Sequence, residues 1–158
     1  MTLSGTSGPL LNSLRQVAEA VAGTRDPWWV IGSAAAVLHG ADTTVADIDL
    51  LTSERDAAAV DERLGLGLRR GEGSALFRSA LYGRWNAPPV PVEIMADLSV
   101  AAPDGAWHPL RPVTRLAVAV GDATVFVPDR LELIAILRRF GRTKDHDRAA
   151  LLEAVAAG

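Results

Sequence analysis

Asp47 and Asp49 flank Ile48 in an apolar, β-prone stretch, Val45-Ala46-Asp47-Ile48-Asp49-Leu50-Leu51. Successive side chains of an extended strand point to opposite faces, so the two carboxylates share one face, roughly 7 Å apart along the backbone, while Ile48 enters the core. Two acids side by side on a buried strand repel each other and lose hydration, a cost that a cation between them removes. Carboxylate oxygens suit hard divalent ions, and Mg2+ is the ion this pair predicts.

Two other stretches supply what such a pair would need. The apolar run Trp28 to Ile31 breaks at Gly32-Ser33 and leads into Ala34 to Leu38, which predicts strand, tight turn and helix start. Glycine lets a ligand approach the backbone closely, and the free N–H groups of a helix N-terminus, with the Ser33 hydroxyl, suit a phosphate. Phosphates and carboxylate-held metals belong together in phosphoryl-type transfer, where two ions about 3.5 to 4 Å apart clamp the attacking and leaving oxygens. Farther on, Asn86-Ala87-Pro88-Pro89 breaks the chain and Val90 to Met95 resumes a strand. Glu93, between Val92 and Ile94, has the pattern of a third carboxylate delivered by a neighbouring strand. Asp97 is the alternative, on the same face if the strand runs that far.

The order of apolar strand, Gly32-Ser33, short helix and, after thirteen intervening residues, Asp47-Ile48-Asp49 resembles the signature of the nucleotidyltransferase superfamily that includes polymerase β. The resemblance implies that Asp47 and Asp49 hold Mg2+, two ions when nucleotide is bound. It further implies that Glu93 completes a metal shell and helps deprotonate an acceptor hydroxyl, and that Gly32 and Ser33 bind phosphate. A second segment supports it. Fifteen of the sixteen basic residues are Arg, and the single lysine is Lys144, in Arg142-Thr143-Lys144-Asp145-His146-Asp147-Arg148. This looks like the Lys-Asp-x-x-Asp segment that opens a C-terminal helix in small bacterial nucleotidyltransferases, including those of the abortive-infection toxin type, with the second acid one residue early at Asp147. The resemblance assigns Lys144 to the nucleotide's phosphates and Asp145 to positioning it. Arg148 stands one helical turn from Lys144 and can reach the same anion. One departure is plain: many relatives carry a basic residue just before the acid pair, whereas Ala41 to Ala46 holds neither Arg nor Lys.

The elements that must position these residues follow from periodicity and breakers. Pro9 to Ala22 has apolar residues at helical spacing and ends at Gly23, after a start, residues 1 to 8, that is expected to fray. Ser53 and Asp56 predict an N-cap with a loose capping box, and Glu54 to Leu64 a helix stopped by Gly65. Leu66 to Arg70 and Ser74 to Tyr82 are expected as strands. Arg69, Arg70, Arg78 and Arg84 fall in this region; they could line a polyphosphate or an RNA backbone, but fit a solvated sheet edge better. Trp28 and Trp29 fit core packing better than base stacking. Residues 98 to 115 carry too many breakers for a long element and could shape an acceptor pocket, with His108 unassigned. Arg115 to Val120 and Ala123 to Val127 flank Gly121-Asp122 as a hairpin. Pro128-Asp129 starts a helix stopped by Gly141, and Thr143 is the expected N-cap of the last one.

Composition excludes more than it assigns. At 158 residues with nearly half of them hydrophobic, the chain can bury one sizeable core, and a net charge of -3 does not advertise a large nucleic-acid surface. Without cysteine there is neither a disulfide nor a thiolate zinc site. No apolar run approaches the roughly 20 residues of a membrane span, so a cytoplasmic protein without membrane attachment is expected.

Together these features predict a single α/β (α+β) nucleotidyltransferase-like domain: a mixed, mostly antiparallel sheet flanked by helices, with a helical pair over 129–158 closing the cleft. The expected reaction moves a nucleoside monophosphate from a nucleoside triphosphate to an acceptor hydroxyl with release of pyrophosphate. The acceptor could be a tRNA end, a small molecule such as an antibiotic, or a protein side chain. The alternative is a non-catalytic nucleotide-binding or interaction module, one half of a toxin–antitoxin-like pair with a protein partner.

Overall fold

A computed structural model describes residues 8–155. Of the segment expected to fray, residues 1–7 lie outside the described residues and Gly8 opens the first helix, α1 (Gly8–Ala20); the last three residues of the C-terminal segment also lie outside. Leu10, Leu14, Val17 and Ala20 recur at helical spacing along α1 and are buried, so its one apolar stripe faces the core. β1 (Trp29–Ile31) runs directly into α2 (Gly32–Leu38), and β2 (Ile48–Thr52) into α3 (Glu54–Leu64). Helix α3 begins and ends as expected, because both signals are local: the Ser53 hydroxyl accepts the Asp56 amide and Gly65 closes the helix in a left-handed conformation. The capping box does not form, since the Asp56 carboxylate accepts instead the amides of Arg25 and Asp26, 3.0 and 2.7 Å away.

The main sheet has five strands in the order β1-β2-β6-β5-β3, with β3 (Arg69–Arg70), β5 (Leu81–Trp85) and β6 (Val92–Ala96). Only β2 and β6 pair in parallel; the others are antiparallel, as expected of a mixed, mostly antiparallel sheet. The expected strand Ser74 to Tyr82 is in fact two. β4 (Phe77–Arg78) joins β7 (Ser99–Ala101) and β8 (Trp107–Pro109) in a second sheet, and the chain crosses at Ser79-Ala80 to enter the first as β5. Hydrogen bonds from the Ser79 amide to the Glu72 carbonyl and from the Ala80 amide to the Ala96 carbonyl hold that crossing. The strand expected over Leu66 to Arg70 is shortened because the Asp61 carboxylate takes the amides of Leu66, Gly67 and Leu68.

A hairpin of β9 (Leu116–Val120) and β10 (Ala123–Val127) turns at Gly121 and lies against α1 and β1. α4 (Arg130–Phe140), capped by Asp129 and closed by Gly141, packs on α5 (Thr143–Ala154). Thr143 is the first helical residue of α5, and Arg142 occupies the cap position. Trp28 is buried, edge-on to Phe126 at 5.4 Å, and the Trp29 indole donates to the Thr114 carbonyl, so both tryptophans pack as expected rather than present a stacking face. No helix among the described residues is long and apolar enough to cross a membrane.

Candidate active site

Strand register brings the acids together. Ile31 faces Asp49 across the β1–β2 pair, which puts the Gly32-Ser33 turn beside that carboxylate. On the other side of β2, Glu93 is the parallel partner of Asp49. Asp47 lies one residue before β2, where the Ile48 amide donates to the Pro91 carbonyl at 2.8 Å and fixes the start of β2 beside β6. Each of Asp47, Asp49 and Glu93 offers an oxygen, and these lie within 4.8 Å of one another. Asp97 takes no part: β6 ends at Ala96, and Asp97 is exposed with a left-handed backbone, φ 49°.

Three carboxylates this close are in conflict with one another. Burial pushes the Asp49 carboxyl up to about 8, Glu93 and Asp47 push in the same direction, and Arg142 and Lys144 oppose them. The conflict and the all-oxygen donor set fit a hard divalent cation, which would screen the repulsion while accepting the same oxygens. Gly32 belongs to the same construction. Its backbone is left-handed at φ 68°, and a Cβ there would stand 2.2 Å from Oδ2 of Asp49, so the turn closes on the acid only without a side chain. Ser33 is buried at the start of α2 and lines the same space.

These residues line one wall of a cavity of about 400 Å3. Three cationic residues line the same cavity: Arg142, at the cap of α5, and Lys144 and Arg148 within that helix. Among the described residues neither Lys144 nor Arg148 has a hydrogen-bond or ion-pair partner, so both charges are free for an anion. The expectation that Asp145 positions Lys144 is corrected. Asp145 is buried, 1% exposed, and binds Arg142 in a fork, 2.6 Å from Nε and 3.1 Å from Nη2, while accepting the Arg142 amide at 3.2 Å. The acid therefore locks the α4–α5 corner, and Lys144 gains its place from the helix rather than from a direct partner. The floor is apolar, with Met95, Leu98 and the edge-to-face pair Phe77–Phe140 at 4.9 Å.

Two arginines expected on a solvated edge belong to the site. Arg84 reaches Asp47 Oδ2 at 3.5 Å and Glu93 Oε1 at 3.4 Å through one nitrogen, Nη1. Arg78 lines the cavity with its guanidinium 3.9 Å from the Trp107 ring centroid. Arg69 and Arg70 do fit the edge expectation, pairing with Glu72 and Glu54. A further residue that sequence reasoning missed is Tyr82, which lines the cavity with Glu93; burial, then the charge of Glu93, pushes the pKa of its hydroxyl up. Tyr82 and Arg84 are two apart on β5, on the face that Glu93 presents, and the alternation of that strand was the available signal. Basic residues thus reach the cavity or its acids from β4, β5 and α5.

No family model matches the chain. No curated protein matches it either. Solved structures do. TM1012 of Thermotoga maritima, assigned by inference to the nucleotidyltransferases, superposes with a TM-score of 0.68 at 24% identity, covering 81% of this chain and 83% of that one. The lincosamide antibiotic adenylyltransferase LnuA, solved with lincomycin bound, gives 0.60 at 12% identity over 91% of this chain and 96% of that one. An antigenic nucleotidyltransferase-like protein of Paracoccidioides brasiliensis gives 0.51 at 12% identity, over 95% and 76%. The α+β fold of this chain is the nucleotidyltransferase fold.

Proposed function

We propose that the chain is a Mg2+-dependent nucleotidyltransferase that moves a nucleoside monophosphate from a nucleoside triphosphate to the hydroxyl of a small acceptor, releasing pyrophosphate. The observation that carries this is that oxygens of Asp47, Asp49 and Glu93 lie within 4.8 Å of one another in the same cavity that Lys144 and Arg148 line, both without a partner among the described residues. Asp47, Asp49 and Glu93 would hold the metal. Bound there, Mg2+ neutralises charge on the transferring phosphoryl group and orients its oxygens.

The chain's own groups account for the rest. Lys144 and Arg148 draw the terminal phosphates toward the start of α5, and the Gly32-Ser33 turn offers backbone N–H groups and a hydroxyl from the opposite side. That leaves the α-phosphorus toward the acids. Glu93, which lines the cavity with Tyr82, is the group we assign to take the proton of an incoming hydroxyl. The apolar residues Phe77, Phe140, Met95 and Leu98 give the base or the acceptor a surface to cover. The protein's contribution is positioning and charge neutralisation, as in phosphoryl transfer generally. A small acceptor is favoured over RNA by the size of the cavity, about 400 Å3, and by the net charge of -3. The same fold in LnuA, a lincosamide adenylyltransferase, supports it.

The test is transfer from α-labelled nucleoside triphosphates, with and without Mg2+, to a panel of hydroxylated antibiotics, tRNA and protein. Label should pass to a small molecule in wild type, and Asp49→Asn should lose at least about a hundredfold in rate. Label on tRNA or protein would overturn the acceptor. Nucleotide binding without transfer to any acceptor would leave a binding module.

A further inference from the structure

Arg84 stands in β5 directly opposite Glu93, and its Nη1 lies between two of the three carboxylates, 3.5 Å from Asp47 and 3.4 Å from Glu93. One nitrogen shared by two acids occupies the place where a cation bridging them would sit. Both distances are at the long end of an ion pair, and the side chain is 43% exposed, so the contact is loose and open to water. Its Nε donates to Asn86 Oδ1 at 3.0 Å, which holds the stem at the rim while leaving the far end of the fork free to turn. Asp49 has no ion pair with Arg84; Arg142 and Lys144 oppose the push of its two acidic neighbours.

We propose that Arg84 is the resident counter-ion of the acid cluster, displaced when a divalent cation binds. The cluster therefore takes metal weakly alone and tightly only with a triphosphate. This rests on the metal-dependent transferase reading. The physical basis is exclusion: a guanidinium and a dication cannot share the same carboxylate oxygens without repelling each other. Arginine suits the task because its charge does not titrate away at any ordinary pH. A triphosphate reverses the balance by adding metal ligands and by offering the displaced guanidinium an anion to bind.

The experiment is Mn2+ binding to the full chain, read from the free-ion paramagnetic resonance signal, for wild type, Arg84→Gln, Arg84→Lys and the surface control Arg70→Gln. Removing the charge in Arg84→Gln should tighten Mn2+ alone by roughly tenfold. Arg84→Lys, which keeps the charge, should stay near wild type, as should Arg70→Gln. With ATP present, the gap between wild type and Arg84→Gln should shrink. Thermal unfolding gives a second readout of opposite sign: in chelator Arg84→Gln should melt below wild type, because the acids lose their counter-ion, and saturating Mn2+ should erase the difference. Equal Mn2+ affinity in wild type and Arg84→Gln, or an Arg84→Lys that binds as tightly as Arg84→Gln, would overturn the inference while leaving the transferase reading intact. Absence of Mn2+ binding in all four proteins, both without and with ATP, would take down both.

Discussion

Asp49 is the residue in which the site's electrostatics become measurable. Its carboxyl is raised to about 8 by burial and then by Glu93 and Asp47, against roughly 3.9 for an aspartate in an unfolded chain. Between about pH 4 and 8, then, the folded state keeps a proton that the unfolded chain has given up. Folding takes up a proton across that window, so stability falls as pH rises through it, and the loss is complete above about 8. The cavity is open to water and the acids are coupled, so the effect is on the order of 1–3 kcal/mol rather than the full shift. Urea unfolding in chelator should show wild type losing about half of that between pH 6 and pH 9. Asp49→Asn should be more stable than wild type at pH 9 and nearly flat over the same range, because the amide has no charge to bury. Parallel curves for the two proteins would mean that the carboxylates do not repel as their geometry demands. The acid pair itself was legible in the sequence, since strand alternation alone puts Asp47 and Asp49 on one face. Arg84 was not: only the β5–β6 register puts it opposite Glu93, and register joins residues whose partnership no local pattern records.

At the scale of elements, what could be read was what is decided locally. α3 stops at Gly65, the β9–β10 hairpin turns at Gly121 and α4 closes at Gly141, each at a glycine with positive φ. Ser74 to Tyr82 was legible as extended backbone but not as two strands, because the break at Ser79-Ala80 is set by partners as remote as Ala96. The α4–α5 corner shows the same division. Lys144 and Asp145 are adjacent and oppositely charged, and a helical first turn would accept both as solvated groups, yet Lys144 has no partner among the described residues while Asp145 is buried and bound to Arg142. Their substitutions should separate accordingly. Asp145→Ala leaves Arg142 without its buried partner and should cost about 2–4 kcal/mol of stability, with nucleotide affinity lost as the corner loosens. Lys144→Ala should leave stability within about 0.5 kcal/mol and weaken triphosphate binding by roughly tenfold, with a smaller effect on the monophosphate. Chemical denaturation and titration of a fluorescent nucleotide distinguish the two. A large stability loss in Lys144→Ala would mean that the lysine serves the helix rather than the ligand.

The molecule as a whole divides its charge so that neither wall of the cleft suffices alone. The carboxylates come from the sheet and the free cations from the start of α5, with a cavity of about 400 Å3 between them. On the proposed reading, the carboxylates would repel a triphosphate until a divalent cation covers them, and the metal would lack ligands until a triphosphate supplied them. Binding of the two should therefore be interdependent, and thermal unfolding reads that linkage directly, because a ligand bound only to the folded state raises its stability by RT ln(1 + [L]/Kd). At a hundred times Kd this amounts to about 2.7 kcal/mol, which in a chain of this length lifts the midpoint by roughly 5–10 °C. Wild type should show that shift with a nucleoside triphosphate and Mg2+ together, and little with either alone. The base giving the largest shift identifies the donor. In Asp49→Asn the joint shift should collapse to that of nucleotide alone, since Lys144 and Arg148 remain while the metal loses its central ligand. A full shift from nucleotide without Mg2+ would mean that the cationic wall binds unaided and that the acids play no part in holding the donor. Equal shifts in wild type and Asp49→Asn would place the metal elsewhere in the molecule.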